Sequence, residues 1–169
     1  MKQLTVESFV EQKSKSKVTV NITPELLKRD GFAQDLSSEQ DNSSVVELST
    51  FNATTSIWDQ EVKVSFDGNE IEKKSTFIEF INLRLQDIES SKELIQKRLV
   101  VDLLELKNTV WIDDRQLSAE EFINKLSFSE IVFYVDQSIV IQFNDEQLFG
   151  GHCITLPITA DFQLGKCSI

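Results

Sequence analysis

The sequence predicts an α+β fold, an antiparallel β-sheet with a C-terminal four-strand meander packed against two to three helices. Three observations predict it. The last third of the chain alternates apolar and polar residues with a period of two, in four segments joined by short links. The middle third carries apolar residues at helical spacing behind three capping-box sequences. Strand-like segments precede those helices. Strands, then helices, then strands is the order of an α+β domain rather than of an alternating α/β one.

From the N-terminus, Leu4–Val10 reads as a strand, and Lys17–Ile22 (KVTVNI) alternates more cleanly. Thr23-Pro24-Glu25 then reads as a helix start, with Thr as cap and Pro at the first helical position, and Gly31 keeps that helix short. Residues 35–44, DLSSEQDNSS, are polar and of low complexity, the composition of a loop or boundary. Val45–Phe51 and Glu61–Phe66 are the next strands. The second puts Val62, Val64 and Phe66 on one face and closes in the turn residues Asp67-Gly68-Asn69.

Three helices follow. Thr76 with Glu79 opens 77–88, Ser90 with Glu93 opens 91–110, and Ser118 with Glu121 opens 119–126. In the middle one, Ile95, Leu99, Leu103, Leu106 and Val110 follow helical spacing, and Leu94, Val101 and Leu104 widen the stripe. That width predicts a buried helix against which the sheet packs. In the last third, Ser129–Val135 and Ser138–Phe143 flank a two-residue connection, Asp136-Gln137, and Gly151–Ile158 and Phe162–Ile169 complete the meander. The chain divides into an N-terminal extension, 1–50, with short strands and a polar loop, and an α+β domain, 51–169.

Composition limits the function classes. Twelve Phe side chains in 169 residues supply a core that needs neither disulfides nor a structural metal. The net charge is −11, of which the first fifty residues carry −2 (six basic, eight acidic) and the rest −9. Such a field repels nucleic acid and anionic membrane; it either favours a basic protein as partner or simply keeps the protein in solution, and a surface charge of this size is common for the second reason alone. No continuous apolar h-region opens the chain and no apolar run approaches the roughly 20 residues that span a bilayer, so a cytoplasmic location with reduced thiols is expected. Phosphate-cradling G-x-x-x-x-G-K-[ST] and G-x-G-x-x-G sequences are absent, as is the G-x-S-x-G nucleophile turn, and no cofactor is expected.

A few residues could carry chemistry. His152 is the only histidine, with Asp145 and Glu146 upstream and Gly150-Gly151 allowing close approach to the backbone. It is a candidate general base or metal ligand. Against that, strand parity sets His152 with Ile154, Leu156 and Ile158 on a face that reads as core. One histidine cannot supply a multi-histidine zinc site, and no metal site is expected. Cys153 and Cys167 lie near-symmetrically about Ala160-Asp161, which suits two buried thiols better than a redox pair. Asp113-Asp114-Arg115 follow Trp111 and read as a solvated loop, lacking the calcium-loop pattern.

The stretches Leu103–Ile112 (LLELKNTVWI) and Leu148–Ile154 (LFGGHCI) resemble those of a family of bacterial domains of unknown function. In that family a leucine-rich helix ending Lys-Asn-x-x-Trp precedes an acidic turn, a short Phe-containing helix, a hairpin and an aromatic-glycine-histidine strand start. The corresponding pieces here are Leu103–Trp111, Asp113-Asp114, Ala119–Leu126, Ile131–Phe143 and Phe149–Ile154, and the resemblance spans about residues 51–169. Family members commonly carry Asp-Gly where this chain has Asp136-Gln137, and Trp where it has Gly150. The resemblance implies the fold; apart from it, Phe149, Gly150, Gly151, Trp111, Asp113 and Asp114 are candidates for binding a ligand. The resemblance implies no activity. Two readings of function remain open beside that of a purely structural domain whose first fifty residues are the partner-specific part. One is a non-catalytic interaction module, of immunity type, that binds a basic partner. The other is a ligand-binding or hydrolytic site centred on Phe149–His152 with Asp145 and Glu146 as its carboxylates.

Overall fold

The computed structural model describes residues 3–19, 43–68, 74–111 and 115–169, with side chains described outside 16–19 and 43–47. Six strands form one sheet in chain order: β1 (Val10–Thr19), β2 (Ser43–Ile57), β3 (Gln60–Asp67), β4 (Ser127–Phe133), β5 (Ile139–Asn144) and β6 (Ile154–Ile158). All neighbours are antiparallel except β3 and β4, which pair in parallel over Lys63–Phe66 and Glu130–Phe133. The α+β class holds, but the sheet is mixed and the expected four-strand meander is three strands long. Parallel neighbours cannot be joined by a tight turn, so the chain must cross the sheet between them. The helices are that crossing.

The segment expected as a fourth C-terminal strand, Phe162–Ile169, makes only two isolated bridges, Thr155 with Ser168 and Ile158 with Leu164. Pro157 accounts for this. Its carbonyl accepts from Gly165 N at 2.8 Å, so the tail runs along the side where Pro157 has no N–H to give. The ladder cannot continue there.

Alternation sorts the sheet into two faces. Val62, Val64, Phe66, Ile131, Phe133, Ile141 and Leu156 point into the core with their strand neighbours. Thr54, Lys63, Glu130, Gln142 and Thr155 are in register across the other face. There Lys63 Nζ lies 3.2 Å from Glu130, and Ser65 Oγ donates to the same carboxylate. These contacts tie β3 to β4 from the polar side.

The helical layer contains α1 (Lys74–Ser90), α2 (Lys92–Leu99), a π-helical turn (Val100–Leu104), α3 (Glu105–Thr109) and α4 (Ala119–Asn124). The first begins before Thr76, so that residue lies within the helix and not at its cap. Ile78, Ile81, Leu85 and Ile88 bury its inner face. Asn82 is buried beside them, accepting from Leu4 N and donating to Leu4 O, both at 2.8 Å. This clamp explains why residues 4–10 are not the expected strand. Leu4 is held against α1, Val6–Ser8 form a 3-10 turn, and pairing starts at Val10. The expected strand at 17–22 is the end of a longer β1 and then passes outside the described residues, as do the helix start at residue 23 and the polar loop up to residue 42; the loop's last two residues, Ser43 and Ser44, instead open β2.

Only the third capping box forms. Ser118 Oγ accepts from Glu121 N at 3.2 Å, and the Glu121 carboxylate accepts from Ser118 N at 2.9 Å. At Ser90 the chain is still helical, and its hydroxyl donates to Asp87 O instead. A cap is needed only where non-helical chain precedes the helix.

The π turn changes the expected buried stripe. Ile95, Leu99, Leu103 and Lys107 are the buried positions, repeating every four residues. An α-helix turns 3.6 residues at a time, so such a stripe drifts by ~40° at each repeat. A wider turn with i→i+5 bonds takes up an extra residue and restores the phase. Beyond it every inward position moves one residue along. Leu106 is therefore half-buried and Val110 is 69% exposed, while Lys107 points inward. The surplus apolar residues Leu94 and Val101 face outward rather than into the core.

The β4–β5 hairpin is also wider than expected. Tyr134–Ser138 form its loop, closed by Tyr134 N to Ser138 O at 3.0 Å and Gln137 N to Tyr134 O at 2.9 Å. Gln137 has φ +67°, a conformation that costs an L-residue about 1 kcal/mol and glycine little. Gln137→Gly is accordingly expected to raise unfolding stability by about 1 kcal/mol in urea titration. A Cβ on Gly68 would sit 2.2 Å from the Phe51 ring, which stacks on Phe66 at 5.1 Å. Gly68→Ala is therefore expected to cost about 1–3 kcal/mol in the same measurement.

Candidate functional site

Between β5 and β6 the chain turns through Asp145–Cys153. Glu146, Gln147, Gly150 and Gly151 all have positive φ, at +44°, +73°, +68° and +81°. Two left-handed residues followed by two glycines produce a tight corner. Asp145, buried, holds it. Its Oδ1 accepts from Gln147 N at 3.0 Å and its Oδ2 from Phe149 N at 2.7 Å. Both carboxylate oxygens are thus engaged by backbone. Glu146 is exposed, 3.9 Å from Lys125 Nζ.

Phe149 is fully buried, edge-on to Trp111 at 6.0 Å and to Phe122 at 6.4 Å. Trp111 lies between Phe149 and His152, whose ring is edge-on to it at 5.8 Å. The parity reading put His152 in the core with Ile154, Leu156 and Ile158. Those three are buried, but β6 starts at Ile154 and His152 precedes it, exposed. Alternation applies only inside the strand, and the glycine corner ends two residues too late for His152 to belong to it. A Cβ at Gly150 would come 3.4 Å from the Trp111 ring, so a larger side chain there would meet that ring.

The helix that ends just before Trp111 is tied to the chain that follows it. Buried Lys107 donates to Trp111 O. Asn108 grips Leu117 twice, Nδ2 to O and N to Oδ1, each at 2.8 Å. The Lys-Asn-x-x-Trp sequence therefore closes the helix and fixes the return of the chain. Asp113 and Asp114 lie outside the described residues. Arg115 forks onto Glu121 at 3.0 and 2.5 Å. That guanidinium, with help from Ser118, holds the Glu121 carboxyl down at about 2.

The two cysteines are not alike. Cys153 is exposed, and partial burial with the nearby Asp145 and Glu130 carboxylates raises its thiol. Cys167 is buried and pushed up to about 12, first by burial and then by Asp102. Neither is set up as a thiolate nucleophile. Asp102 sits in the π turn, accepts from Cys167 N at 2.7 Å, and lies 2.8 Å from Arg98 Nε. The wider turn thereby helps moor the C-terminal tail to the helical layer.

That mooring creates a feature the residue-level candidates missed. Leu94 (55% exposed) and Val101 (66% exposed) line a shallow groove with half-buried Phe162 and Leu164, of about 400 Å³. Lys97 and Arg98 flank it. Phe162 has φ +64°, unusual for a bulky residue, in a tight turn closed by Phe162 N to Thr159 O at 2.9 Å. The signal was present in the sequence as the over-wide apolar stripe of the middle helix.

Among the described residues no helix is long and apolar enough to cross a membrane, and no group of three or more His, Cys, Asp or Glu side chains is placed to hold a metal ion. A family model described as "Uncharacterized protein conserved in bacteria (DUF2262)" matches residues 45–168, more than half of the chain. No curated protein and no solved structure matches.

The thiol assignment gives a direct test. Titration of the native protein with a thiol reagent at mildly alkaline pH is expected to modify Cys153 alone, with Cys167 reacting only after denaturation. Equal reaction of both in the native state would contradict the burial of Cys167 in the tail.

Proposed function

The chain belongs to this uncharacterized bacterial family, and from that premise we propose that it is a non-catalytic protein-interaction module of immunity type, with a basic protein as partner. The observation that carries the reading is the exposed apolar groove of Leu94, Val101, Phe162 and Leu164 on a chain of net charge −11. Arg98 is neutralised by Asp102, which leaves the groove mainly apolar with Lys97 at its rim. Apolar side chains of the partner would fill the groove, and its Lys and Arg residues would be drawn by the acidic body. A binding role gains further support from Asp145, whose carboxylate is committed to two backbone amides and is not turned toward His152 as an orienting group would be.

The test uses the full chain as bait in extract from the producing bacterium, followed by affinity measurement with the basic protein recovered. Binding is expected to weaken steeply as salt rises. Leu94→Asp and Val101→Asp are each expected to raise Kd at least about tenfold. Both positions are exposed, so the melting midpoint should stay near that of the native chain. Recovery of no basic protein at low salt, or unchanged affinity in both variants, would overturn the proposal.

A further inference from the structure

β2 outruns its neighbour. Its last pair with β1 is Asn52 with Val10, yet β2 continues to Ile57. Beyond Val10 the chain turns aside, because the Asn82 clamp holds Leu4 against α1 and Val6–Ser8 form a 3-10 turn. Residues 53–57 therefore have β3 on one side and, among the described residues, no strand on the other.

The hairpin decides which backbone groups face that open side. Trp58 and Asp59 make a two-residue turn, both left-handed, at φ +51° and +64°. In such a turn the flanking residues, Ile57 and Gln60, exchange hydrogen bonds. Alternation then points Ala53 and Thr55 at β3, and the N–H and C=O of Thr54 and Ser56 away from it. The Gly68 N to Ser49 O bond at 2.9 Å has the same parity.

The open edge is a notch of about 530 Å³, lined by Leu4, Ser8, Val10, Asn52, Thr54 and Lys63. Val10 is 70% exposed there. Asn52 Oδ1 is buried without a hydrogen-bond partner, whereas buried acceptors are ordinarily paired. Sheet edges are commonly guarded by charge. β1 has Lys13, Lys15 and Lys17 along its length, but residues 53–57, ATTSI, carry no charge and are mostly β-branched.

We propose that this notch pairs with the same notch of a second copy of the chain, giving a two-fold dimer with one continuous sheet. The edge is complementary to itself. Antiparallel pairing centred on Thr55 sets Thr54 opposite Ser56 of the second copy, and Ser56 opposite its Thr54, each pair exchanging both hydrogen bonds. On β3, Lys63 stands beside Thr54 and Glu61 beside Ser56. The resulting row runs from Lys63 through two small hydroxyl residues to Glu61 of the second copy, so its ends are opposite in charge. The same register brings the second copy's turn at Trp58 and Asp59 level with Asn52 and Val10, where it covers the exposed valine. No residue of the apolar groove takes part, so the dimer stands independently of the interaction reading.

The test is sedimentation of the full chain in about 0.15 M salt, which screens the repulsion between two acidic copies. The contact is small, so a dimer at about 0.5 mM that dissociates on dilution to about 1 µM is expected. Hydrogen exchange at the two concentrations locates the contact. The Thr54 and Ser56 amides are expected to exchange at least about tenfold more slowly in the dimer. Those of Glu11 and Lys13, which by the same alternation face outward from β1, are expected to stay fast. Thr54→Pro removes an outward N–H and no β2–β3 bond, and proline is tolerated at edges. It is expected to raise the dimer Kd at least about tenfold, as is Ser56→Lys at an exposed position, with the melting midpoint of dilute protein kept. A monomer at about 0.5 mM, a dimer whose Thr54 and Ser56 amides still exchange freely, or a dimer unaffected by Ser56→Lys would each overturn the proposal.

Discussion

The parallel pairing of β3 with β4 governs the architecture. Two antiparallel units, β1–β3 and β4–β6, would otherwise be separate sheets with exposed edges. Joining them in parallel makes one sheet and removes two edges. It also obliges the intervening chain to leave β3 at one end and re-enter β4 at the other, which only a long crossover achieves. Each helix belongs to that crossover, and each buries its inner face on the sheet side it must traverse. On the opposite face Glu130 receives both Ser65 and Lys63, so the pair is fastened where no apolar packing helps.

The helical layer then depends on phase. A stripe of every fourth residue suits a sheet surface only if the helix rotates back, and the π turn at Val100–Leu104 does that. Its effects reach three places at once. Lys107 is brought inward to Trp111, Asp102 is aimed at the C-terminal tail, and Val101 is left outside. The apolar groove and the aromatic corner are both consequences of one extra residue in one turn.

Much of this was legible in the sequence, for identifiable reasons. β3, β5 and the third capping box follow from strict alternation and from Ser118-x-x-Glu121, patterns that depend on near neighbours alone. The parallel joint was not legible, because antiparallel and parallel strands alternate identically and only the spatial partner differs. The expected fourth C-terminal strand does not form, and this was not legible because the effect of Pro157 depends on which side its neighbour lies. The inward turn of Lys107 was missed because 3.6 periodicity assigns that face to Leu106 and Val110. At the candidate site, Trp111 and the corner glycines both stand in the family-like stretches, but nothing in the sequence brings the ring and the corner together. The exposure of His152 and the commitment of Asp145 to backbone amides depend on left-handed turn residues that carry no sequence signal of their own.

The corner at Asp145–His152 and the apolar groove both rest on the sheet being one body, since β5 and β6 carry the first while the crossover helices and the tail after β6 carry the second. Native-state hydrogen exchange tests that claim most directly. If the parallel pair unites the two halves, the amides of Val62–Phe66 and of Ile131–Phe133 share the largest opening free energy and the same denaturant dependence, equal to those of global unfolding. Opening of β4–β6 at a lower free energy, with β2 and β3 still protected, would contradict it.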